Sequence, residues 1–138
     1  MTVYVRQYID THLTLSRWIC DLLEHAIWLR TCGDDELAAQ VVLRNFWKQN
    51  EPVADRAFRL AIAESSDRRL VPEFWPRLDE ARKSLSQVFL CAYAIAQNER
   101  DRGELAAVLE LSTKTIDTLE IVADAEETNG RACDPVPA

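Results

Sequence analysis

Glycine is almost missing from this chain: only Gly33, Gly103 and Gly130 occur. So few leave no loop to cradle a phosphate, and no P-loop, G-x-G-x-x-G turn or G-x-S-x-G elbow is present. Proline is scarce too, and its five residues fall mostly at the ends of periodic segments, which suits long helices. No run of about 18 uncharged apolar residues exists, so no helical membrane span is expected. The opening residues lack the basic, apolar and small-residue plan of a secretory leader, and a cytoplasmic location is expected. The four cysteines (Cys20, Cys32, Cys91, Cys133) have no C-x-x-C spacing, which speaks against a zinc site or a disulfide framework. Cys20 and Cys91 sit in apolar runs and read as small hydrophobes. Neither H-E-x-x-H nor the E-x-x-H pair of di-iron bundles appears. No metal, cofactor or catalytic residue is assigned.

What is present is helical periodicity. Between Arg77 and Asn98, the residues Leu78, Ala81, Leu85, Val88, Ala92 and Ile95 recur at three- and four-residue steps. From Val88 to Ala96 no charge appears on any face, so this helix should be the enclosed central rod of a bundle. A first helix is expected over about Val3 to Thr31, with a seam of Val5, Tyr8, His12, Leu15, Ile19, Leu22, Ala26 and Leu29. Gly33 would end it, and Asp34 or Asp35 would cap a second helix over about Glu36 to Gln49. Asn50-Glu51-Pro52 has the composition of a helix start, so a third helix is expected to run to about Ala63. After a loop from Ser65 to Pro76 comes the central rod, then a charged break at Glu99 to Gly103. A last helix covers about Glu104 to Glu127. The expected fold is all-α: an antiparallel bundle of about five helices, three long and two shorter. Residues 1–128 would form one domain and 129–138 a flexible tail.

Charge is uneven. The net charge is -7, and residues 103–138 carry eight acids against Lys114 and Arg131. Glu110, Asp117, Glu120 and Asp124 fall along one side of the last helix, an acidic ledge that would dock an arginine- or lysine-rich partner. The Ser65–Pro76 loop adds Arg68, Arg69, Phe74 and Trp75, side chains of the kind that dominate interface hot spots. The alternative for Phe74 and Trp75 is a hydrophobic staple on the helix that follows. His12 lies inside the first seam and reads as a buried packing residue.

The run from Leu105 through Ser112 to Ile121 (LAAVLELSTKTIDTLEI) resembles the bacterial helix-turn-helix, with leucine-alanine opening the first helix and serine capping the second. That resemblance implies a DNA-binding regulator using residues 104–121. It departs at Glu110, where the motif carries glycine. The competing reading is one unbroken helix, because Leu105, Leu109, Ser112, Ile116, Leu119 and Ala123 keep step through the turn. Asp117 and Glu120 beside Lys114 also oppose a phosphate backbone, so nucleic acid is not the expected partner. A second alternative is a Mg²⁺-dependent all-α nucleotide hydrolase, if Asp21 and Glu24 faced Asp117 and Glu120.

The expected function is therefore non-catalytic. An acidic helical bundle would bind another protein with a basic surface and regulate, escort or inhibit it, as an adaptor, chaperone, immunity protein or phage-type inhibitor does. Such a partner surface would be one that otherwise holds nucleic acid. The apolar surplus of the second helix and the four tryptophans also point to a homodimer.

Overall fold

The seam of the first helix forms as its periodicity dictates. In the computed structural model α1 (Val3–Thr31) buries Val5, Tyr8, His12, Leu15, Ile19 and Ala26, with Ile9 and Leu23 joining where Leu22 and Leu29 were expected. The structure describes residues 3–32, 36–67, 74–98 and 100–133, with side chains for 3–32, 40–64, 74–98 and 100–124. The remaining helices are α2 (Glu36–Asp67), α3 (Phe74–Ala96) and α4 (Glu104–Cys133). Among the described residues there is no strand, and no helix is long and apolar enough to cross a membrane.

There are four helices rather than five because α2 continues through Asn50-Glu51-Pro52. The expected helix start fails for three reasons. Leu43, Trp47, Ala54, Ala57 and Ala61 all join the apolar core, in an unbroken four-three seam that Asn50 completes, so a break would unseat half of them. Lys48 and Pro52 are exposed, so the Lys48 carbonyl that proline leaves without its donor can be solvated. Asn50 does not cap a new helix; its Nδ2 donates to the Phe46 carbonyl at 2.8 Å.

The pairs α1–α2 and α3–α4 are hairpin neighbours, and α3 also packs on both α1 and α2. α3 is thus the central rod, with its whole expected seam buried. Its enclosure is not complete, since Leu90 is exposed. Both ends of α3 are fixed by identifiable groups. Phe74 is fully buried as its first residue, and Pro76 sits in the first turn, where a missing N–H costs nothing. At the other end Asn98 takes a left-handed φ of 61° and its N–H reaches the Ile95 carbonyl at 2.9 Å. Arg30 of α1 donates to the Ile95 and Ala96 carbonyls, which ties the ends of α1 and α3 together. The start of α1 is held from outside: the Tyr4 N–H donates to the Glu64 carboxylate near the end of α2. α4 opens on an Asp101 cap, whose Oδ1 accepts from Gly103 N–H at 3.1 Å, and runs to Cys133, past the end expected at Glu127. The ends meet in an up-down-up-down order.

If α2 is continuous because of its buried seam, Pro52 is tolerated rather than needed. Pro52→Ala should raise stability by about 1–3 kcal/mol, because it restores a helix donor on an exposed face. Urea denaturation checks this, and a destabilised variant would show that the proline shapes the helix.

Candidate functional site

The core divides into two apolar clusters. One gathers Leu15, Ile19, Leu23, Leu43, Leu85 and Val88; the other gathers Val5, Ile9, Phe74, Leu78, Ile116 and Leu119. Polar side chains occupy the level between them. His12 is 1% exposed and Ser112 3%, with His12 Nε2 at 2.8 Å from Ser112 Oγ across α1 and α4. Tyr8 Oη lies 3.3 Å from His12 Nδ1. Ser84 of α3 lies 3.3 Å from Ser112 Oγ and 3.1 Å from Thr115 Oγ1. Ser84 and Thr115 also donate to backbone carbonyls one turn back, Ala81 and Ser112, at 2.7 Å each.

Arg82 of α3 borders this layer and reaches α2. Its Nε and one terminal nitrogen contact Asp55 Oδ1 at 2.8 and 2.6 Å, and its other terminal nitrogen donates to Ser86 Oγ at 2.9 Å. Glu51 lies 3.6 Å away, and the guanidinium sits 5.8 Å from the centre of the Trp47 ring. Arg82 therefore holds the acids on both sides of Pro52 to one cation. Nothing in the sequence pattern singled it out. Its only signal was an arginine one step after Ala81 on the seam, with Glu51 and Asp55 at helical spacing on another element.

A serine at 2.8 Å from an imidazole is the geometry of an activated nucleophile. Here it cannot serve as one. Both groups are shut off from solvent, so no substrate can reach the serine. Burial, helped by the nearby Arg82 charge, lowers the His12 pKa to about 4. Burial also pushes the Tyr8 phenol well above its ordinary range. The layer is a neutral, hydrogen-bonded clamp between α1, α3 and α4.

The expected docking residues are placed as follows. Glu110, Asp117 and Asp124 are exposed on α4, whereas Glu120 is half-buried. Glu110 pairs with Lys114 at 3.3 Å. Phe74 is a core residue, so it offers no docking surface; the staple reading fits it, because its side chain packs beside Leu78 and Ala81. Trp75 is exposed beside it, and Arg68 and Arg69 lie outside the described residues. α4 is unbroken through Glu110, so 104–121 has no helix-turn-helix turn. Among the described residues no three His, Cys, Asp or Glu side chains converge on a metal position, so Asp21 and Glu24 do not face Asp117 and Glu120. Glu24 instead bridges to Arg102 before α4. Cys91 is buried in the core as expected, and Cys20 is half-buried.

Among known proteins, no family model matches the chain, and no characterised protein or solved structure is significantly similar to it.

His12 carries a pH prediction. Its folded pKa lies below the unfolded value of 6.5, so its contribution is complete above pH 6.5 and is lost as pH falls toward 4. The loss should total about 3 kcal/mol. His12→Asn, which keeps a hydrogen-bonding side chain, should be less stable at pH 7 by about 1–2 kcal/mol and should lose less stability between pH 7 and 5. Urea titrations of both proteins at the two pH values check this; parallel losses would exclude His12 as the titrating group.

Proposed function

We infer that the chain is a non-catalytic protein-binding bundle that docks the basic surface of another protein on the outer face of α4, to regulate, escort or inhibit it. The observation that supports this reading is the composition of that face. Ile121 is 69% exposed and Leu111 57%, on a helix whose other side packs against α3. Glu110, Asp117 and Asp124 recur every seven residues along one line of that face, with Ile121 beside the line and Leu111 on its flank. A face of this kind fits a partner that supplies lysine or arginine around an apolar centre. The carboxylates would steer its approach, and the exposed isoleucine and leucine would supply the area buried on contact.

Charge reversal tests it. Glu110→Lys with Asp117→Lys leaves the half-buried Glu120 and the packing of α4 untouched. Exposed pairs contribute about 0.2–1 kcal/mol each, so two reversals should weaken a complex roughly tenfold. Affinity capture from the source cells with wild type and the double variant should recover a basic partner only with wild type, and the complex should weaken as salt rises from 50 to 300 mM. Equal recovery of that partner by both proteins, with circular dichroism unchanged, would exclude the acidic face.

A further inference from the structure

The outer face of α1 carries both signs of charge in an order that has a two-fold reading. Arg6, Asp10, Arg17 and Asp21 are all exposed and, at 100° per residue, lie within a sector of about 60°. Among the described residues none of the four forms an ion pair, although Arg6 and Asp10, and Arg17 and Asp21, stand four apart. The arginine precedes the acid in both, which is the weaker order for pairing within a helix. Read against its own reverse, the series plus, minus, plus, minus meets minus, plus, minus, plus. In an antiparallel pair of α1 helices centred between Leu13 and Thr14, Arg6 faces the second copy's Asp21, and Asp10 faces its Arg17. All four charges are then matched at once.

The same register disposes of an exposed aromatic side chain of α1. Trp18 is 46% exposed and packs edge-on to Phe46 at 6.2 Å. It stands at one end of a groove of about 510 Å³ between α1 and α2, walled by Gln7, Thr11, Asn50 and Val53. Antiparallel two-fold pairing keeps the α2 side of each copy on the same side of the axis. It brings the second copy's Trp18 to the level of Ile9, over the groove between Gln7 and Thr11. Charge pairing and aromatic insertion are satisfied by one register, with Leu13 and Thr14 at the crossing, where helices must approach to about 8–10 Å.

We propose that the chain forms a two-fold dimer through α1, antiparallel about Leu13 and Thr14, with each Trp18 seated in the other copy's α1–α2 groove. This is independent of the reading of α4, whose face it leaves open, so either can fail alone.

Sedimentation equilibrium of the full chain across the micromolar range should give twice the 15.8 kDa chain mass. Two-fold symmetry places each substitution at two contacts, so Asp10→Arg should raise the dimer dissociation constant at least about tenfold. Trp18→Ala should weaken the dimer further, since a tryptophan seated in a pocket is a typical hot spot. The decisive variant is Asp10→Arg with Arg17→Asp, which restores opposite signs across the axis and should recover the dimer. Circular dichroism of each variant checks that the helices persist. A monomer at 100 µM, a dimer indifferent to Asp10→Arg, or a folded double variant that stays monomeric would each overturn the proposal. The last result would leave α1 in contact through some other register or partner.

Discussion

His12 stands where α1, α3 and α4 meet, and its imidazole must be both buried and neutral there. The constraint propagates. A buried ring with two polar nitrogens needs two partners, and Tyr8 and Ser112 supply them. Ser112 in turn lies against Ser84 and Thr115, so one polar level crosses three helices. Sliding any of them by one turn would press these groups into one of the apolar clusters, where an unpaired hydroxyl or imidazole costs several times what a good hydrogen bond contributes. The apolar clusters drive collapse; the polar layer between them sets the register in which the helices collapse.

Arg82 does the corresponding work for α2. A nearly buried guanidinium requires carboxylates, and the two it finds, Asp55 and Glu51, flank the proline of α2. Glu51 and Asp55 remain half-exposed, so the cation is neutralised without burying a second charge fully. Its position beside His12 also helps keep that ring unprotonated. The two polar devices are therefore electrostatically linked, and together they touch all four helices.

The two outward faces of α4 and α1 contrast with this interior. α4 turns acids and two large aliphatic side chains outward, and α1 turns a self-complementary charge series and a tryptophan groove outward. The two faces differ in kind, one dominated by carboxylates and the other alternating in sign.

The helices, their buried stripes and the centrality of α3 were legible in the sequence, because a 3.6-residue period with apolar residues on one side admits few other folds. The boundary signals were less reliable. Asn50-Glu51-Pro52 carries every local mark of a helix start, yet local capping is worth about 1 kcal/mol and the continuous seam of α2 outweighs it. The same logic kept α4 whole through Glu110, where the four-three step was already visible. Phe74 looked like half of an exposed aromatic pair and lies in the core, because adjacent residues on a helix point about 100° apart and only one of the two can face inward. What only the tertiary structure decided is which distant side chains meet. Ser84, Ser112 and Thr115 are unremarkable polar breaks in their own helices, and Arg82 is one arginine among many. Their meaning comes from alignment across the bundle, a hundred residues apart for His12 and Ser112, and no local pattern encodes such a contact.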